Sequence, residues 1–187
     1  MKEIKDRLGN YNYIFFKNLQ NYLETKLYFY GSIKRVDFFK ESSDIDIVII
    51  CDNVQSVLFK CNQYLNIDKN KTQKIFQQHR ISDKKIITGY KIKYKNKDYN
   101  LKFDLLIYDI KYKKEVMNII DEVNNLPFYM LIILYIVKSL YYKFHFLTKS
   151  NYLYLKSMCF FSYFNKKINY NYSKEYTQLI MIDNFNI

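Results

Sequence analysis

The sequence predicts an α/β (α+β) fold: a small mixed sheet with helices packed on one face, followed by a helical C-terminal region. Three observations lead there. Two short apolar runs, residues 27–30 and 44–51, are each bracketed by segments with helical spacing. Residues 86–110 alternate apolar and polar side chains with period two, the mark of a hairpin with one buried face. Beyond Asp109 the apolar and aromatic residues recur at helical intervals to near the end of the chain.

Taken in order, residues 13–25 form an amphipathic helix with Phe15, Leu19, Tyr22 and Leu23 on one stripe. The spacer 33–43 carries Lys34, Arg35 and Lys40 and reads as a short helical turn and loop. Asp52 is placed to cap a helix over 53–67, where Val54, Val57, Leu58, Cys61 and Leu65 keep helical spacing. Residues 69–80 fit a helix or a loop. In the hairpin, a turn centred on Lys97-Asp98 sets Lys93 against Lys102, Lys91 against Asp104, and Ile92 against Phe103 on the buried side. Val116, Ile119, Ile120 and Val123 make a short helical stripe. Pro127 suits the first turn of a longer helix reaching about Tyr142. Segments 152–164 and 174–182, the latter capped by Ser173, complete the helical part. There is no internal repeat and no low-complexity linker. Asn124-Asn125 is the expected hinge, dividing 1–123 from 124–187.

With 187 residues, 49% apolar and 26% charged, the chain can bury a substantial core. Its 21 Tyr and 15 Phe accompany scarce Gly, Pro and Trp, a skew that AT-rich coding would impose. The net charge of +12 is concentrated. From Lys69 to Lys114 there are 14 basic and 4 acidic residues, a net of +10. So one-sided a stretch attracts polyanions. Cys51, Cys61 and Cys159 form no CxxC pair, which points to a reducing compartment. No apolar leader opens the sequence, and the apolar run 126–137 is too short to span a bilayer, so a cytoplasmic protein without a membrane partner is expected. Three glycines cannot supply a GxxxxGK or GxGxxG phosphate loop.

The chemistry lies in residues 27–50. An apolar run ends in Gly31-Ser32; eleven residues later, Asp44-Ile45-Asp46 opens the second run. Alternation puts Asp44 and Asp46 on one face, about 7 Å apart along the strand, with Ile45, Ile47 and Ile49 on the other. Paired carboxylates hold hard divalent cations, and magnesium completes its shell with water and phosphate oxygens. A glycine lets a phosphate approach the backbone, and Ser32 offers a hydroxyl donor beside it.

Tyr30-Gly31-Ser32, the eleven-residue spacer and Asp44-Ile45-Asp46-Ile47 together resemble the signature of the DNA-polymerase-beta-like nucleotidyltransferase superfamily. Ser43 before the first acid is similar to the form in small nucleotidyltransferases and RNA-tailing enzymes. Arg35 matches an Arg of the minimal members, whereas Val36 stands where they usually have Gly. The resemblance covers roughly the first 110 residues and implies the nucleotidyltransferase fold. It also implies a third carboxylate on a neighbouring strand, met here by Asp104; Asp109, near the strand end and of opposite parity, is the rival.

The implied activity is transfer of a nucleoside monophosphate from an NTP, ATP foremost, by two Mg²⁺ ions (with Mn²⁺ as a substitute) held by Asp44, Asp46 and Asp104. Gly31 and Ser32 would hold the β- and γ-phosphates, with Arg35, Lys91 and Lys102 neutralising the rest. Lys138 resembles a triphosphate-contacting lysine of RNA-tailing enzymes, although a lysine on an apolar helix usually snorkels at a rim. Tyr141 and Tyr142 could stack a base or lie in the core. His79 and His145 have no partners at metal-ligand spacing. The expected acceptor is an RNA 3′ end bound through the Lys69 to Lys114 region. The alternatives are nucleotidylation (AMPylation) of a protein partner and a non-catalytic nucleic-acid-binding subunit that kept the fold.

Overall fold

The computed structural model describes residues 2–40, 42–67, 72–78, 86–96 and 99–167. Helices α1 (Lys2–Leu8) and α2 (Asn10–Leu23) lead into strand β1 (Leu27–Tyr30) and a 3₁₀ turn, Gly31–Lys34. Then come β2 (Ile45–Cys51), α3 (Val54–Leu65), β3 (Thr72–Gln78), β4 (Ile86–Asn96) and β5 (Leu101–Asp109). Helix α4 (Lys113–Asn124) closes a first compact unit, residues 1–78 with 86–125. The strands form one mixed sheet in the order β1-β2-β5-β4-β3, in which β2 and β5 run parallel and the other pairs antiparallel. The expected mixed α/β class is what forms. Residues 69–80, which fitted helix or loop, supply strand β3 over Thr72–Gln78.

Parity along the strands sorts the two faces. Ile45, Ile47, Ile49, Ile92, Phe103, Leu105 and Ile107 point to one side, where Phe16, Leu19, Leu23, Val57, Cys61 and Leu65 from α2 and α3 complete the main core. The helical stripe on α2 runs through Phe16 rather than Tyr22, which is exposed. The other face is divided lengthwise. Val48, Ile50 and Tyr108 are buried against Val116 and Ile120 of α4, whereas Asp46 and Asp104, nearer the strand starts, stay partly exposed. Helices therefore pack on both faces, because the acid-bearing side of β2 turns apolar halfway along.

Two local expectations shift. The cap of α3 is Asn53, whose side chain accepts from the Ser56 N–H at 2.9 Å, and not Asp52. The hairpin register is two residues from the expected one: Lys93 faces Asp104, Lys95 faces Lys102, and Ile92 faces Leu105. A shift of two preserves the inward and outward sets, so burial does not discriminate between the registers. Asn96 pairs with Leu101 to close the strands around a four-residue connection.

The second unit contains residues 126 onward. Its helices α5 (Phe128–Tyr142) and α6 (Lys149–Lys167) meet through Leu126, Met130 and Leu134 against Cys159 and Phe160. Pro127 precedes α5 as its cap residue. The expected helix over 174–182 and its Ser173 cap lie outside the described residues. Among the described residues no single helix is long and apolar enough to cross a membrane.

Gly89 sits where β4 crosses Tyr108, and a Cβ there would come within 2.7 Å of both the Ile107 carbonyl oxygen and the Tyr108 ring. Gly89→Ala should therefore cost about 1–3 kcal/mol, read as a lower urea midpoint at unchanged m-value. Burial pushes the thiols of Cys51 up to about 11 and Cys61 up to about 12. Both stay protonated at pH 8 and should resist a thiol-specific reagent until the protein unfolds, while half-buried Cys159 reacts first.

Candidate active site

The parallel pairing of β2 with β5 brings the expected acids together. Asp46 and Asp104 are Cα partners in the register, so their side chains leave the same face side by side. Asp44, one residue before β2, shares that parity and is exposed at the approach to the strand. Asp109, the rival third acid, pairs with Cys51 at the far end of β5. Its carboxylate accepts from the Lys111 N–H at 2.9 Å and caps the following 3₁₀ turn, Ile110–Tyr112.

Gly31 is held against Asp46. Its φ of +73° is the left-handed conformation glycine favours, and a Cβ would lie 2.6 Å from Asp46 Oδ2. Both the turn and the close carboxylate therefore require glycine. The Gly31 N–H, expected to face phosphate, donates instead to Asn124 Oδ1 at 2.9 Å, at the end of α4. Ser32 is buried within the 3₁₀ turn.

Arg35 does not reach the site as a phosphate ligand. Its side chain is buried, Nε and Nη2 donating to the two carboxylate oxygens of Asp37 at 2.8 and 3.1 Å. Its Nη1 donates to the Val123 carbonyl at 2.8 Å, and Arg7 Nη1 donates to the carbonyls of Ile33 and Arg35. This cluster ties the post-glycine loop to α1 and to the last turn of α4. Asp37 and Asn124 are the positioning residues that sequence reasoning missed. Asp37, fully buried two residues after Arg35, is recognisable only once that burial is known.

The lysines divide. Lys91 Nζ lies 3.1 Å from Asp104 Oδ2, diagonally across the strands, so the expected contact survives the changed register. Lys93 stands directly opposite Asp104, and Lys95 opposite Lys102, making a cationic row beside the acids. Lys102 also lines a cavity at the start of β5. In the second unit, Lys138 is buried on α5 at 4% exposure rather than snorkelling at a rim. There Tyr141 stacks on Tyr152, with ring centroids 4.3 Å apart and planes within 5°, so that face is already covered. His145 is exposed, and His79 lies outside the described residues.

Among the described residues no three His, Cys, Asp or Glu side chains converge as a ready metal cage. The donor chemistry still suits a hard cation. Asp46 and Asp104 present oxygen ligands abreast, and the Lys91 ammonium stands where positive charge is wanted.

A nucleotidyltransferase-domain family model matches residues 14–129. Among solved structures, a GLD-2/RNP-8 complex is similar at 15% identity and a TM-score of 0.40, covering 86% of this chain and 54% of that one. Terminal uridylyl transferase 4 from Trypanosoma brucei with bound CTP is similar at 10% identity and 0.41, covering 88% and 58%. The STING-associated CdnE c-di-GMP synthase from Capnocytophaga granulosa is similar at 18% identity and 0.33, covering 100% and 60%. The chain thus spans 54–58% of the length of the first two of these structures. No curated protein sequence matches it.

Removing one partner of the Arg35–Asp37 pair leaves an uncompensated buried charge. Asp37→Asn or Arg35→Met should destabilise by about 3–5 kcal/mol, and Arg35→Met/Asp37→Leu should recover much of that loss. Urea unfolding of the three variants checks both parts.

Proposed function

The chain belongs to the nucleotidyltransferase domain family, and from that premise we propose that it transfers a nucleoside monophosphate, AMP from ATP, to the 3′ hydroxyl of an RNA. The observation carrying this reading is the register that sets Asp46 beside Asp104 on parallel strands, with the Gly31 turn closed over Asp46. In the proposed reaction the acceptor oxygen forms a bond to the α-phosphorus. The bond from that phosphorus to the bridging oxygen breaks, pyrophosphate leaves, and the hydroxyl proton passes to solvent.

Asp44, Asp46 and Asp104 would hold two Mg²⁺ ions, or Mn²⁺ in their place, which when bound neutralise the triphosphate and activate the hydroxyl. The residues themselves supply position and charge. Gly31, by lacking a Cβ, leaves room for the Asp46 carboxylate, and Ser32 would offer its hydroxyl to a phosphate oxygen. Lys91, once its Asp104 partner is taken by a divalent ion, would turn its ammonium to the triphosphate. Lys93 and Lys95 continue the positive face along β4, which favours a polyanionic acceptor over a small neutral one.

Incubation with each α-labelled NTP, Mg²⁺ or Mn²⁺, total RNA and lysate tests the reading. Wild type should label RNA, with ATP preferred. Asp46→Asn and Asp104→Asn should each lower that by at least about 10²-fold while remaining folded. Gly31→Ala, which must displace Asp46 Oδ2, should fall between them and wild type. Label on a protein band would replace the RNA acceptor with a protein hydroxyl, and no label on any acceptor would leave a binding subunit.

A further inference from the structure

A cavity of about 410 Å³ opens at the edge of the sheet where β2 and β5 begin, between the start of α2, the loop preceding β2 and the start of β5. That is within the range of cavities that take nucleotide-sized ligands, about 300–1,000 Å³. Its walls bring together features that none of the residues announces in sequence. Lys40 and Lys102 supply ammonium groups, and no acidic residue is among the described lining. Lys40 Nζ reaches over Gly9, 3.9 Å from where a Cβ would stand. Tyr11 and Tyr99 stack on each other with ring centroids 4.6 Å apart and planes 18° from parallel, although both are about half exposed. Asn12 Oδ1, in the same wall, is buried and lacks a hydrogen-bond partner among the described residues.

A paired aromatic platform and flanking cations match one ligand chemistry. A planar base stacks on a tyrosine and phosphates meet the lysines. An acidic peptide would use the lysines and leave the tyrosines idle. We infer that this cavity binds a single-stranded RNA segment, with a base on the Tyr11–Tyr99 stack and phosphates on Lys40 and Lys102. Ser43 and Ile45 are also in the wall and flank Asp44 in sequence, so a strand held here lies at the edge of the sheet where Asp44 leads into β2. The inference names an acceptor subsite and in that respect rests on the transferase reading.

The test is fluorescence anisotropy of a labelled ten-nucleotide single-stranded RNA against full-length protein, titrated across salt concentrations. Lys40→Ala should weaken binding about fivefold at 0.1 M salt and lower the slope of log K against log salt by about 0.7; Lys40→Ala/Lys102→Ala should double that slope change. Tyr11→Ala should weaken binding about tenfold at every salt concentration with the slope unchanged. If these variants bind RNA as wild type does, or if polyglutamate of equal charge competes as well as RNA, the site is refuted. RNA binding lost in these variants, together with no nucleotide transfer by wild type to any acceptor, keeps the site and removes the transferase reading. Transfer to RNA with binding untouched by the three substitutions does the reverse.

Discussion

Two carboxylates held abreast on neighbouring strands repel one another, and much of the first unit is arranged around that fact. Asp46 and Asp104 sit in this relation because β2 and β5 run parallel in one particular register. The fold answers with cations from the next strand: Lys91 on Asp104, and Lys93 opposite it. Positive charge from the neighbouring strand thus offsets the paired carboxylates.

The framework around the acids is made stiff by burial. Arg35 and Asp37 form a closed pair whose desolvation is compensated by two hydrogen bonds between them and by the Val123 carbonyl. Asn124 fixes the Gly31 N–H one residue further along α4. The glycine turn, the loop behind it and the end of α4 are thereby locked together. Helix α4 also covers the far half of the acid-bearing face through Val116 and Ile120, leaving only the strand starts open. An acid-bearing opening confined to half a sheet follows from where β2 changes from Asp to Val.

The lysines expected to serve phosphate illustrate how one residue type is divided by context. Lys91 is held by a carboxylate, Lys93 and Lys95 are exposed along β4, Lys102 faces a cavity, and Lys138 is buried on its helix. Their charge is the same; their access to a ligand is not. Clustering in the sequence therefore located a cationic region without ranking its members. Of the stretch from Lys69 to Lys114, Lys69, Lys71, Arg80, Lys84, Lys85 and Lys97 lie outside the described residues.

Local chemistry alone determined a good deal. Period-two alternation places Asp46 and Asp104 on one side of their strands whatever the register, and a glycine before a strand bearing acids marks a tight turn. Helical spacing likewise foretold α2, α3, α4 and α5, because each must hide an apolar stripe. What alternation cannot supply is the pairing. Moving the hairpin by two residues changes every directly opposed pair while leaving the buried set intact, and only the closed sheet set Lys93 directly opposite Asp104, with Lys91 reaching it diagonally. The same holds for Arg35: its motif position suggested a phosphate, but Asp37 beneath it in the folded loop claimed the guanidinium. Sequence fixes which face a side chain takes; tertiary structure alone decides which neighbour it meets, since that depends on elements far away along the chain.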